Sequence, residues 1–233
     1  MTNSHGVNSA FYRYLPFAVF MGFIGLDEFI RFLAGQGLFT LETTTLYYLY
    51  PFKALTVGYL LYRFKDYYHE LTFRDLGNLP ATLASCGVGL LVFALWIKMD
   101  WTLGSAGVPD GFNPALLPGR STQITMTVFR IAGAVLVVPL MEELFWRSFL
   151  IRYIVDKNFD TVRMGTFTWV SFLLTVVLFG LEHNYIYAGI MAVIVYNLLL
   201  YRTRSLAHCV LSHAVTNLAL AMYVLLTGKW QFW

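Results

Sequence analysis

The sequence predicts an all-α membrane protein. It reads as a bundle of seven transmembrane helices, or eight if Pro139 divides one of them, around a buried polar site. Three observations predict this. Hydrophobic residues make up 58% of the chain, while Asp, Glu, Lys and Arg make up only 12%, about half of the roughly 25% usual in soluble domains. Mean hydropathy is +0.62. Apolar stretches near spanning length recur along the 233 residues, and the informative charges within them gather late. A disordered chain would have the opposite composition. The net charge of +3, with its basic residues scattered, gives no footprint for nucleic acid. Cys86 and Cys209 lie in apolar stretches and offer neither a disulfide framework nor a CxxC metal pair.

The elements follow in order. Residues 1–13 are polar and lack the short apolar core of a signal peptide, so none is expected. Apolar segments then run over 14–33, 45–62, 81–97, 123–153, 166–183, 187–201 and 206–226. The fourth exceeds one simple span, and Pro139 is the expected break, because proline cannot donate to the carbonyl of Val135. The sixth is short, as for a helix enclosed by protein. Residues 63–78 mix charges with Tyr, Phe and Leu, which predicts an interfacial helix and turn. Residues 98–120 carry Gly104, Gly107, Pro109, Gly111, Pro114, Pro118 and Gly119 and predict a loop. The organisation is read as an N-terminal transmembrane region, 1–120, and a core, 121–233, within one integrated membrane domain.

The basic residues set an orientation. With seven spans and the N-terminus inside, nine fall inside: Arg13, Arg63, Lys65, Arg74, Arg152, Lys157, Arg163, Arg202 and Arg204. Lys98, Arg120 and Lys229 fall outside. The excess of positive charge favours a cytoplasmic N-terminus.

Four basic residues remain within spans: Arg31, Lys53, Arg130 and Arg147. Asp27 and Arg31, four apart, read as a self-neutralising pair. Lys53 follows Pro51 and reads as a snorkelling cation, and Arg130 is placed to seek an acid such as Glu28. Glu182 reads as facing the outer interface. The late constellations are more specific. Glu143 and Arg147 are four apart with the acid first, so they share a face and can neutralise each other. Glu142 is rotated by about 100° and has no such partner, which suits a general base. Phe179 and His183 share a face, as do His213 and Asn217. Asn217 and His213 can both donate to a developing oxyanion.

Singly, each of these has a structural reading. Glu143–Arg147 is a helix-stabilising pair, a membrane histidine or asparagine is a helix–helix hydrogen bond, and Phe179 is packing. Glu142, His183, His213 and Asn217 together exceed what helix association needs, so they are read as a site. The chemistry stays open among hydrolysis, a metal site and ion coupling. There is no HExxH motif, no GxSxG elbow and no GxGD motif. Zinc held by Glu142, His183 and His213 is an alternative ranked below a metal-free site, since asparagine is an unusual fourth ligand. No paired repeat halves appear, which disfavours a transporter.

The motifs Glu142-Glu143-x-x-x-Arg147, Phe179-x-x-x-His183 and His213-x-x-x-Asn217, in this order and each in an apolar segment, resemble the CPBP family. These are the CAAX-processing and bacteriocin-processing intramembrane proteases of the glutamate class. The likeness covers about residues 137–220, including LFGLEH and LLYRTRSLAHCVLSHAVTN. Ser148 and Arg204 stand where glycine is common in the family. The chain also resembles the variant associated with bacterial exosortase systems. The resemblance implies an intramembrane endopeptidase in which Glu142 and His183 activate a water, His213 and Asn217 form the oxyanion hole, and Glu143, Arg147 and Phe179 support them. It implies no cofactor, a membrane-anchored protein or peptide substrate cut near its C-terminus, and a multi-pass protein of the bacterial inner membrane. A non-proteolytic immunity or sorting-system scaffold on the same fold is the alternative. The sequence leaves the oligomeric state open. Depth raises one conflict. At 1.5 Å per residue, Glu142 lies roughly 15–20 Å deep and His213 roughly 13 Å, but His183 roughly 25–30 Å if its helix starts near Thr166.

Overall fold

The computed structural model describes residues 4–102 and 111–233, with side chains from Ser9 onward. Gly104, Gly107 and Pro109 of the expected loop lie outside them. All regular structure among the described residues is helical. In the numbering used below, α1 is Ser4–Gly35, α2 Leu49–Arg63, α3 Leu79–Trp96, α4 Arg120–Val155, α5 Trp169–Leu181, α6 Ile186–Thr203 and α7 Leu206–Thr227. Among the described residues, α3, α4, α6 and α7 are long and apolar enough to cross a membrane, and α5 is a shorter apolar helix. These helices make the chain an integral, multi-pass membrane protein.

Local chemistry sets the helix ends. Asn78 caps α3 by accepting from the N–H of Ala81 at 3.3 Å, with Pro80 in the first turn. Thr168 caps α5 by accepting from the N–H of Ser171 at 3.2 Å. Gly228, at φ +69, ends α7 in the left-handed conformation that glycine adopts without a steric penalty.

Two expectations are corrected. Pro139 does not break the fourth segment, and α4 runs unbroken over 36 residues, so no eighth helix forms there. The turn before the proline, Gly133–Val137, widens into a π-helix, and a second π segment spans Leu144–Leu150. A π turn shifts hydrogen bonds to the fifth residue, which relieves the missing proline donor without ending the helix. The 63–78 connection holds two short 3-10 turns, Lys65–Tyr67 and Phe73–Gly77, in place of an interfacial helix. Its polar groups are drawn into tertiary bonds, described next, before a longer helix can form.

One end of the bundle is tied by charge. The guanidinium of Arg13 on α1 binds Glu70 at 2.7 Å. Ser148 on α4 also donates to Glu70, and Arg152 reaches back to the carbonyl and hydroxyl of Ser148. Phe159 is buried between Arg13 and Arg152, whose guanidinium carbons lie 5.3 Å and 5.0 Å from its ring centre. Ser205, ahead of α7, donates to Asp75 at 2.5 Å. The other end is closed by apolar contacts. Tyr47, Phe112, Leu117 and Met126 form one cluster, and the Phe112 N–H donates to the Trp233 carbonyl at 3.1 Å.

Small residues bring the middle together. A Cβ on Gly89 of α3 would lie 2.4 Å from the Ser212 carbonyl oxygen of α7, so these helices touch at the backbone. A Cβ on Gly189 would lie 3.2 Å from the Gly180 Cα, which makes α5 and α6 a tight hairpin.

Glu70 gives a pH-dependent prediction. Burial opposes its charge, but the bonds and charge of Arg13 and the Ser148 hydroxyl outweigh it and hold the carboxyl below the ordinary range. A depressed pKa stabilises the fold above the unfolded carboxylate value of about 4.3, and that contribution is lost as pH falls through the folded value. Thermal unfolding in detergent should show Glu70→Gln costing about 3 kcal/mol near neutrality. The variant should then lose less further stability than the parent on acidification to about pH 3.

Candidate active site

The six residues Val138–Glu143 form a short α segment between the two π segments of α4. This places Glu142 and Glu143 side by side but aimed at different surroundings. Glu143 and Arg147 are both fully enclosed and pair at 3.2 Å. The Arg147 guanidinium lies over the rings of Phe179 on α5 and Tyr196 on α6, at 5.1 Å and 5.5 Å. Glu143 also meets Nδ1 of His213 on α7 at 3.0 Å. One buried pair thus touches three other helices.

Glu142 has a different setting. It is buried, and its Oε2 receives no hydrogen bond from the protein. It lines a cavity of about 100 Å³ together with His183, His213 and Asn217. Phe179, Trp96, Tyr196 and Thr216 complete much of the wall. The four residues read as a site from sequence are therefore brought together, and Glu143, Arg147 and Phe179 stand directly behind them.

The depth conflict resolves in α5. This helix starts at Trp169 and has 13 residues, or about 20 Å. Glu142 lies 13 residues from the Val155 end of α4, again about 20 Å. His183 therefore sits in the turn between α5 and α6 at the level of Glu142.

Each histidine has one nitrogen committed. Nδ1 of His183 contacts the Phe179 carbonyl at 2.9 Å. A carbonyl only accepts, so Nδ1 carries the proton and Nε2 presents a lone pair. The ring stacks on Phe179 at 4.6 Å and meets Trp96 edge-on at 5.4 Å. His213 directs Nδ1 at the Glu143 carboxylate and stacks on Tyr196 at 5.1 Å. The amide of Asn217 donates to the Ala134 carbonyl, inside the first π segment, at 2.7 Å. One amide proton stays uncommitted.

Several wall residues carried no mark in the sequence. Tyr196 fixes His213 from one face while its hydroxyl donates to Thr216 at 2.8 Å, and Thr216 donates to the Gly89 carbonyl at 2.8 Å. Only the adjacency of Thr216 to Asn217 and the helical spacing of Ala192 and Tyr196 hint at them. Two charge expectations change. Glu182, expected at the outer interface, is half-buried with Oε2 enclosed. Arg130 makes no ion pair among the described residues, and Glu28 is exposed. Asp27 and Arg31 pair at 2.8 Å as expected.

Residues 124–219 match the family model described as type II CAAX prenyl endopeptidase Rce1-like. The matched stretch contains all three motifs and agrees with the resemblance to CAAX-processing proteases. No curated protein and no solved structure matches the chain.

The two adjacent acids should separate by stability. Removing the Glu143 charge strands a fully buried guanidinium, so Glu143→Gln should cost about 3–5 kcal/mol in denaturant unfolding. Glu142 has no counter-ion to strand, so Glu142→Gln should stay within about 1 kcal/mol of the parent or be more stable.

Proposed function

We propose that the chain is a metal-independent intramembrane endopeptidase that cuts membrane-anchored proteins or peptides near their C-termini. The observation that carries this reading is the single cavity lined by Glu142, His183, His213 and Asn217. The Rce1-like match supports it.

The chemistry follows from what each group can donate or accept. A water held between the Glu142 carboxylate and Nε2 of His183 gives a proton to Glu142 as its oxygen attacks the scissile carbonyl carbon. The carbonyl π bond opens to an oxyanion. The free amide proton of Asn217 and Nε2–H of His213 donate to it. His213 donates there only as an imidazolium, for which Glu143 is the counter-ion at 3.0 Å. Glu142 then returns its proton to the amine nitrogen as the C–N bond breaks. A carboxylic acid and an amine leave, and no acyl-enzyme forms. Tyr196 and Phe179 hold the two imidazoles as positioning residues.

Zinc is the competing reading for the same residues. Among the described residues, no three His, Cys, Asp or Glu side chains group closely enough to share an ion. On that grouping the metal-free reading is preferred, and no step is routed through a metal. The nine basic residues counted above support a cytoplasmic N-terminus, and the bacterial inner membrane rests on the family resemblance. A scaffold without proteolysis would tolerate loss of Glu142.

The decisive measurement compares the C-termini of membrane proteins from cells carrying the parent or Glu142→Gln. Shortened C-termini should appear only with the parent. With a substrate so identified, purified Glu142→Gln should lose at least about 10³-fold in kcat, and Asn217→Ala about 10²-fold. A Glu142→Gln protein that still cuts would sink the mechanism. Loss of cutting in chelator, restored by zinc, would favour the metal reading instead.

A further inference from the structure

Arg147 is answered on one side only. Its Nη1 pairs with Glu143, but Nε and Nη2 are enclosed and meet no acceptor in the protein. Oε2 of Glu143 is enclosed and meets no donor. Asn197 of α6 adds another such atom. Its Nδ2 donates to the Thr175 hydroxyl of α5 at 3.2 Å, and that hydroxyl gives its own proton to the Ser171 carbonyl at 2.8 Å. The amide nitrogen is therefore the atom turned to Thr175, and Oδ1 is left buried with no hydrogen bond. Glu143, Arg147, Thr175 and Asn197 are all fully enclosed.

These groups lie at one level of the bundle. At the helical rise, Arg147 is about 12 Å from the Val155 end of α4, Thr175 about 10 Å from Thr168, and Asn197 about 9 Å from the Thr203 end of α6. Those ends share one side of the bundle, where Arg152 bonds the Val162 carbonyl at 3.2 Å and a Cβ on Gly165 would meet the Leu200 carbonyl at 3.0 Å. The Arg147 guanidinium also touches the nearest neighbours of both other residues. It lies over Phe179, one turn beyond Thr175, and over Tyr196, next to Asn197. Phe179 and Tyr196 line the cavity, whereas Arg147, Thr175 and Asn197 do not. A polar line continues from this level towards the shared end. Ser171 is buried one turn before Thr175, and the Thr168 hydroxyl donates to its Oγ at 2.8 Å. Tyr201, one turn beyond Asn197, keeps an enclosed hydroxyl without a partner, and its ring lies 5.3 Å from that of Phe167.

Polar atoms left unanswered at low dielectric are costly, so each calls for a partner. Two are donors, on Arg147, and two are acceptors, on Glu143 and Asn197. An anion would suit the guanidinium but not the two oxygens, and a metal cation would suit the oxygens but not the guanidinium. Water accepts and donates, and matches the whole set. We propose that water binds between Arg147, Asn197 and Glu143 and exchanges with solvent along Thr175, Ser171 and Tyr201. Glu143 is then hydrated from behind the wall formed by Phe179 and Tyr196. Resting on the endopeptidase reading above, this route stays open while a substrate fills the cavity. The water site itself is independent of that reading.

The test needs no substrate, so its failure and that of the endopeptidase reading are separable. The full chain in nanodiscs, in isotope-labelled water, receives short X-ray pulses that turn bound water into hydroxyl radicals. Oxidation is read residue by residue by mass spectrometry. Thr175→Cys places a reactive thiol beside the proposed water. Val57→Cys places one at a fully enclosed position among apolar side chains of α2 and serves as the dry reference. The thiol of Thr175→Cys should oxidise at least about tenfold faster than that of Val57→Cys and take up the isotope of the solvent. Adding Asn197→Leu, which removes the acceptor, should bring Thr175→Cys down to the reference rate. Adding Tyr201→Phe, a milder change that removes only a hydroxyl, should slow it as well. A rate at Val57→Cys that stays low with either added change shows that the fold survives it. Equal, slow oxidation of Thr175→Cys and Val57→Cys overturns the proposal. So does fast oxidation of Thr175→Cys that is indifferent to both Asn197→Leu and Tyr201→Phe.

Discussion

A carboxylate and a guanidinium, both wholly enclosed, hold the centre of this fold. Charges in such a place are costly, and Glu143 and Arg147 draw on three helices besides their own to offset them. Arg147 draws in Phe179 from α5 and Tyr196 from α6. Glu143 draws in His213 from α7. The pair thereby fixes the ring that lies behind one histidine and the acid that faces the other. Glu142, one residue earlier, is left as the acid without a counter-ion.

The second constraint is vertical. Backbone that is not helical survives at membrane depth only where protein encloses it or a cavity receives it. The turn carrying His183 meets this condition because Gly180 and Gly189 let α5 and α6 close tightly beneath it, while Tyr185 is buried against Val224 and Phe232. A full-length fifth span would have carried His183 past the level of Glu142. The shortness of α5 and the polar set in the cavity are two aspects of one arrangement.

Much of the site was legible because it follows short-range rules. A four-residue interval on a helix places two side chains on one face whatever the tertiary structure, so Glu143–Arg147, Phe179–His183 and Asp27–Arg31 could be read directly. What escaped depends on distant partners. Pro139 looked like a break because a local rule forbids its hydrogen bond, yet a π turn satisfies the helix by another register. Arg130 seemed to need an acid, but three aromatic rings meet it instead. Tyr196 was indistinguishable from any apolar-helix aromatic until an imidazole lay against it. The 63–78 connection is tied through Glu70 to Ser148 of α4 and through Asp75 to Ser205 ahead of α7, partners that no window of sequence contains.

The close approach of α3 to α7 at Gly89 bears on the order in which the molecule is made. Synthesis delivers α1 through α6 first, and until α7 arrives Glu143 lacks His213, Ala134 lacks Asn217, and the Gly89 carbonyl lacks Thr216. The polar set in the cavity is completed only when α7 packs, and α7 must slide into a slot too narrow for any side chain at position 89. Until α7 docks, the cavity lacks two of its four polar residues, His213 and Asn217.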